Sequence, residues 1–391
     1  MIPAFPRTPD EFLARGEQFW SEVRQVKQQA PPLCELGWYP YDSLSTFPVI
    51  AELLGLRYEE IASACQTYPA IDIGCGDGDL AVFLSRLGMT VDALDYSANN
   101  YNRLSGVRTL SKLLNAPLNI HDLNLDTFMT FPRRGYGIAF FLGILYHLKN
   151  PYGVLEELAY HTRWCLLSTR VAKVTPSNTR FDREPLVYLP DGREIENDAT
   201  NYWIFSSFAL LRLLQRTRWA ISGFRSVGCH GDSNPVARDA DERMFVLAQS
   251  RVFYPALSVR PLSGWYAPEE DRWQWTAKRF GLGVVLPLEV HITKLILDVV
   301  IPEPVAACGP VTLSCTFNGQ VVGQQSYTEA GQAEFRGELP VSALHEPVLQ
   351  LDFDVESAYL PPPGDTRDLG LCVPLLDNPQ KEVSRIPIRV E

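Results

Sequence analysis

The stretch PAIDIGCGDGDLAVFLSRLGMTVDALD, residues Pro69 to Asp95, decides the fold. AIDIG and TVDALD are short apolar runs of strand character, and Leu80 to Leu87 between them has a helical pattern stopped by Gly88. A strand, a helix and a second strand in that order make a βαβ unit. The alternation continues outward through LNIHDL, GIAFFLGIL, a helix opened by Asn150 and Pro151, CLLSTRV, a helix near Phe208 to Gln215, and a closing pair near Ile221 and Phe245 to Ala248. This order predicts a doubly wound, Rossmann-like α/β sheet.

Upstream, Thr8, Pro9 and Glu11 stand where an N-cap, a first-turn proline and a capping-box acid belong, ahead of Phe12, Leu13, Phe19, Trp20, Val23 and Val26. An amphipathic N-terminal helix is expected, followed by GWYPYDSLSTFP as a cap or pocket wall. Between Ala172 and Thr200 the periodicity lapses into Pro, Asn, Asp and Gly just after a strand end, which marks a lid. Beyond Ser250 the runs GLGVVLPLEVHITKLILDVVIP, VTLSCTFNG and LQLDFDVES read as strands between turns. The expected organisation is therefore a helical cap over residues 1–50, an α/β domain over 51–252 with its lid at 172–200, and a β-sandwich over 253–391.

The turn Asp72-Ile73-Gly74-Cys75-Gly76-Asp77-Gly78 closes a strand and opens a helix, where glycines permit a tight turn and close backbone approach to a ligand. Its GxGxG spacing differs from the GxGxxG of dinucleotide binders, and no GK[ST] follows, so a pyrophosphate cradle is the weaker reading. Asp95 ends the next strand, placed to accept from both ribose hydroxyls. Asp122 ends the third, placed to face an adenine amino group, with Leu123 offering backbone contact to the ring. The three positions together describe a site for an adenosine-type cofactor.

IDIGCGDG, LDYS, HDL and FFLGILYHLKNP resemble the successive motifs of class I S-adenosylmethionine-dependent methyltransferases over roughly residues 65–250. The resemblance implies that the glycine loop, Asp72 to Gly78 including Cys75, receives the methionine part of the cofactor. It implies ribose at Asp95 and Tyr96, adenine at Asp122 and Leu123, and passage of the sulfonium by Leu142 and Gly143. GWYPYDSL, GILYHLKNP and NYWIFSSFALLRLL more narrowly resemble the tRNA wobble-uridine carboxymethyl-transferring methyltransferases. Gly137 departs from that family, whose fourth strand commonly starts with an acid. The run from WQWT to YLPPPGDTRDLGLCV resembles the β-domain attached to bacterial polysaccharide-modifying enzymes, through Pro361 to Leu371.

Methyl transfer to a hydroxyl gains from a base that takes the proton, and histidine suits neutral pH. Among six histidines only His147 lies just beyond a strand end, directly after the Leu142 to Tyr146 segment, and is the candidate base. Tyr39, Tyr41, Tyr146, Tyr202 and Trp203 are candidates for the substrate wall, since aromatic faces suit apolar groups and a cationic donor. His121, His161, His230, His291 and His345 lack paired ligand spacing, and no metal is expected.

A net charge of −11 is the reverse of the basic footprint of nucleic-acid binders, and Arg133, Arg134, Arg212, Arg216 and Arg218 read as solvated faces. The start of the chain lacks the apolar core of a secretory signal, and no stretch is long and apolar enough to span a membrane. The eight cysteines form no CxxC pair and read as reduced thiols in a cytoplasmic protein. The sequence leaves the oligomeric state open. It favours methylation of a small molecule, sugar or glycan precursor with S-adenosylmethionine, over a tRNA wobble-base modifier using carboxylated S-adenosylmethionine, and over a binding protein that keeps the fold without chemistry.

Overall fold

The computed structural model describes residues 5–29, 37–128, 130–253, 258–270, 272–286, 293–346, 348–361, 363–375 and 386–390. Cys34, His291 and part of the strand-like run that begins at Gly281 lie outside them. The described residues divide into two compact units, Met1–Phe253 and Tyr254–Glu391.

The first unit opens with α1 (Pro9–Gln29). Thr8 Oγ1 accepts from the Glu11 amide at 3.2 Å, while the Glu11 carboxylate accepts from the Arg7 amide at 2.8 Å, so cap and acid satisfy orphan donors in both directions. Phe12, Phe19 and Val23 form its buried stripe. Phe12 meets Phe47 of α2 (Phe47–Gly55) and Phe83 edge to face, with ring centroids 6.1 and 5.3 Å away. Gly16 lies under the Phe47 ring, where an added Cβ would come within 3.0 Å of it. α3 (Tyr58–Thr67) then leads into the sheet.

β1 (Ala70–Ile73), β2 (Val91–Asp95), β3 (Asn119–Asp122), β4 (Tyr136–Leu142) and β5 (Thr162–Val171) pair in parallel in the order β3-β2-β1-β4-β5. The near-continuous burial of β1, β2, β4 and β5, which the edge strand β3 does not share, reflects cover on both faces by α4 (Asp79–Arg86), α5 (Ser105–Leu113) and α6 (Pro151–His161) on the crossovers. The lid excursion places β6 (Val187–Tyr188) against β7 (Ile204–Phe205) and carries a small core of its own, Phe181 and Ile195 packed with Ala172 and Ile204. After α7 (Ser207–Arg216), β8 (Trp219–Gly228) and β9 (Glu242–Ser250) close the sheet, β9 running antiparallel to β5. The strand order reverses between β1 and β4, and this switch point opens a crevice beyond their carboxyl ends.

Gly137 has a reason in packing. A Cβ there would lie 2.6 Å from the Ala64 carbonyl of α3, so the position admits no side chain. The polar role at the strand start falls instead to Asp92, which accepts from the Tyr136 hydroxyl and Arg133 Nε, both at 2.8 Å.

The second unit holds two five-stranded antiparallel sheets. One orders β10 (Ser258–Pro261), β12 (Arg279–Val285), β17 (Leu349–Glu356), β14 (Val311–Phe317) and β15 (Gln320–Tyr327). The other orders β11 (Trp273–Ala277), β18 (Leu369–Pro374), β13 (Lys294–Ile301) and β16 (Gly331–Glu338), with β19 (Ile388–Val390) also on β13. Strict alternation on β14 and β17 sends Leu313, Cys315, Leu351 and Phe353 into one shared core with the second sheet. In the Pro361 to Leu371 segment, Arg367 bonds Asp365 at 2.8 Å and Glu269 at 2.7 Å and stands over the Tyr266 ring, so this motif braces the unit internally.

Candidate active site

The glycine turn after β1 and the loop after β4 face each other across the switch point. Gly74, Gly76 and Gly78 all have positive φ (74°, 56° and 79°), which side chains resist. Their free space differs. A Cβ on Gly74 would collide with Ile144 of the β4 loop and one on Gly78 with Val107 of α5, so these two glycines serve packing within the protein. At Gly76 the nearest atom to such a Cβ is on the Tyr39 ring, 3.5 Å off, and close approach belongs to this glycine. Cys75 is buried beneath the turn, and burial pushes its thiol well above the ordinary range, so it is inert. Asp72 is buried behind the loop; burial, then the neighbouring Asp95 carboxylate, pushes its carboxyl up to about 7.

Asp95 holds the edge of the crevice. Its Oδ2 accepts from the Gly76 amide at 3.0 Å and from Asn100 Nδ2 at 2.9 Å, and its Oδ1 from the Tyr96 amide at 2.7 Å. Burial raises its pKa against these bonds. An ionised carboxylate has about four lone-pair sites, so accepting two hydroxyls requires Asn100 to yield its place. Asp122 is exposed; its Oδ1 accepts from the Ser97 amide at 2.9 Å, and the amide and hydroxyl of Ser97 lower its pKa. The Leu123 amide already donates to the Asp95 carbonyl at 2.9 Å. A backbone contact from Leu123 to an adenine ring would therefore come from its carbonyl.

The cap segment covers the glycine turn. Asp77, barely exposed, accepts at 2.8 Å from both Lys27 Nζ and the Tyr39 amide, and at 2.7 Å from Asn102 Nδ2. Burial disfavours the Lys27 charge, but Asp79 and Asp77 more than offset it and its pKa rises. The Tyr39 and Tyr41 rings meet at a tilt with centroids 5.3 Å apart, and the Tyr41 hydroxyl reaches Glu196 of the lid at 3.5 Å, so cap and lid meet here. Burial, then Tyr146, pushes the Tyr39 hydroxyl up to about 12.

Beyond β4, Leu142 pairs with Ser168 of β5, and Gly143 turns at φ 74° with its amide on the Ser168 carbonyl. Tyr146 and His147 follow, their rings 4.1 Å apart. His147 Nδ1 lies 3.1 Å from the Thr200 carbonyl and 2.9 Å from Thr200 Oγ1. Burial is the main cause that lowers its pKa, so the ring is neutral at pH 7. Tyr202 donates its amide to the Tyr146 carbonyl at 2.8 Å. Trp203 spends its indole N–H on the Leu148 carbonyl at 2.7 Å and packs against the core beneath β4, a structural place for a residue expected in the wall.

Arg243 is the residue that sequence reasoning missed. Because β9 runs antiparallel, its first residues lie at the carboxyl edge of the parallel strands, Arg243 opposite Arg170. Its guanidinium would lie 3.3 Å from a Cβ on Gly143, stands over the Tyr146 ring, and reaches the Tyr146 hydroxyl and Asp241 only at 3.5 Å. A charged residue opening the closing antiparallel strand was the available signal. Among the described residues no three His, Cys, Asp or Glu side chains gather as metal ligands. No described helix is long and apolar enough to cross a membrane.

Residues 52–221 match the family model of a methyltransferase domain. This segment is a methyltransferase domain. The domain is similar to the N-terminal domain of EvdMO1 with SAH bound, at 14% identity and a TM-score of 0.38 over 59% of this chain and 97% of that one. It is similar also to the [4+2]-cyclase SpnF, at 13% identity and a TM-score of 0.36 over 64% and 99%, and to TehB from Haemophilus influenzae, at 15% identity and 0.35 over 49% and 62%. No curated protein sequence matches the chain. The cofactor expected of a methyltransferase domain is S-adenosylmethionine. The residues fit it: the space a Cβ would fill at Gly76, bounded by Tyr39, opens beside the ribose acceptor Asp95.

Proposed function

We propose that the chain methylates an oxygen of a small molecule, sugar or glycan precursor, with His147 taking the proton. The observation that carries this is a neutral imidazole on the loop after β4, packed on Tyr146 and next to the turn that bears Gly143. When bound, S-adenosylmethionine supplies an electrophilic methyl group. Asp95 would hold its ribose, Asp122 its adenine amino group, and the Gly76 turn its amino-acid part. Tyr39 and Tyr146 bound the acceptor space and exclude water, while orientation by such walls supplies much of the acceleration in transfers of this kind. His147 accepts the hydroxyl proton as the oxygen becomes nucleophilic. The charge of −11 supports an acceptor other than a polyanion.

The test offers methyl-labelled S-adenosylmethionine to the full chain with nucleotide sugars, oligosaccharides and phenols in one arm and bulk tRNA in the other. Label in a small acceptor, lost in His147→Gln, is expected; label in tRNA alone overturns the reading. Binding of S-adenosylhomocysteine with no turnover in either arm would point to a binding protein.

Arg243 favours a second reading, tRNA wobble-uridine modification with carboxylated S-adenosylmethionine. A guanidinium beside Gly143 and Tyr146, with only long polar contacts, has donors to spare for an extra carboxylate near the transferred carbon. This reading expects Arg243→Met to abolish a preference for the carboxylated cofactor in calorimetry, and tRNA affinity to fall steeply with salt.

A further inference from the structure

We propose that Asp198 and Thr200 of the lid are positioning residues for His147, fixing its proton on Nδ1 so that Nε2 presents the lone pair; this rests on the reading of His147 as the base. A carbonyl oxygen can only accept, so Nδ1, 3.1 Å from the Thr200 carbonyl, is the protonated nitrogen. The Thr200 hydroxyl points to the same answer. It has one hydrogen, and that hydrogen goes to Asp198 Oδ1 at 2.7 Å, so Oγ1 receives Nδ1–H at 2.9 Å as an acceptor. Asp198 enforces this direction because an ionised carboxylate has no hydrogen to give. Burial opposes its ionisation, but the hydroxyl and amide of Thr200 more than compensate and hold its pKa low.

The lid backbone is locked for this task. Asp198 Oδ1 also accepts the Thr200 amide at 2.9 Å, and Asn201 Nδ2 returns to the Asp198 carbonyl at 3.1 Å. Tyr202 and Trp203 then bond the carbonyls of Tyr146 and Leu148, on either side of His147. The charged groups acting on the imidazole are Asp198 from the lid, Arg243 from β9 and Arg170 from β5. The two arginines disfavour the imidazolium and Asp198 favours it. On proton transfer the acceptor hydroxyl gives its hydrogen to Nε2 and the ring becomes a cation. Nδ1–H stays on Thr200, Asp198 offsets the charge, and the Nε2 proton later leaves to solvent. An orienting group that selects a tautomer in this way is a general feature of histidine bases.

The test uses the full chain with ring-15N histidine and long-range 1H–15N correlation spectra, His147 being identified by its loss in His147→Gln. Above its titration midpoint, wild-type His147 is expected to show a protonated Nδ1 and a bare Nε2. Asp198→Ala frees the Thr200 hydroxyl to donate to Nδ1, so the Nε2–H form gains population and the midpoint falls by about one pH unit. Asp198→Asn, which still accepts the hydroxyl, keeps the tautomer while lowering the midpoint, and Thr200→Ser leaves both unchanged. An Nε2–H tautomer in the wild type, or an Asp198→Ala spectrum identical to it, overturns the proposal. If the spectra behave as expected but His147→Gln still transfers methyl, the base reading fails and the positioning stands.

Discussion

Asp72 and Asp95 stand at the ends of adjacent strands, yet they answer to protons differently. Asp72 has an ordinary unfolded pKa near 3.9 and a folded value of about 7, so the native state keeps a proton that the unfolded chain releases. Its contribution to stability is complete below about pH 4 and is lost as pH rises through about 7. Urea melts of Asp72→Asn should show the variant gaining on the wild type between pH 5 and pH 8; a constant offset across that range would contradict the assignment. For Asp95→Ala, loss of charge-assisted bonds to ribose at about 1.5–3 kcal/mol corresponds to a ten- to hundredfold weaker affinity for S-adenosylhomocysteine by calorimetry. His147→Gln should lower kcat by about 10²–10⁴-fold and leave that affinity within a few-fold. At this scale the sequence was partly legible. Asp95 and His147 follow from their places at and just beyond strand ends, whereas the bond from His147 to Thr200 crosses 53 residues and depends on how the lid folds back.

Among the elements, α3 and β4 touch through a position that tolerates only glycine. Gly137→Ala forces a methyl against the Ala64 carbonyl, and a loss of about 1–3 kcal/mol in denaturant melts is expected. The sequence reading registered Gly137 as a missing acid because backbone contact with a helix is invisible to pattern. α1 was readable from its own residues, since cap, first-turn proline and apolar spacing are local. Thr8→Ala should cost about 1 kcal/mol, read as a lowered melting midpoint. What local pattern could not show is the far end of α1, where Lys27 reaches the carboxylates of the glycine turn.

For the whole molecule, the doubly wound α/β class of the sheet was legible because alternation of apolar runs with helices admits few topologies. The antiparallel course of β9 brought Arg243 to the crevice, and a one-dimensional pattern carries no direction for a closing strand. The two compact units predict that Met1–Phe253, expressed alone, binds S-adenosylhomocysteine within about three-fold of the full chain. Calorimetry on the two proteins checks this, and a tenfold loss would show that the second unit contributes to the site.

The knot at Asp77 bears on what can be inherited or exchanged as a piece. Family likeness begins at residue 52, but the cation that neutralises Asp77 and Asp79 comes from residue 27 and a further amide from residue 39. A chimaera joined at the border of the likeness would transplant the sheet and strand two buried carboxylates without their counter-charge. The portable module therefore begins at α1, and its natural variation should couple positions 27, 77 and 79 across a border that sequence similarity draws between them.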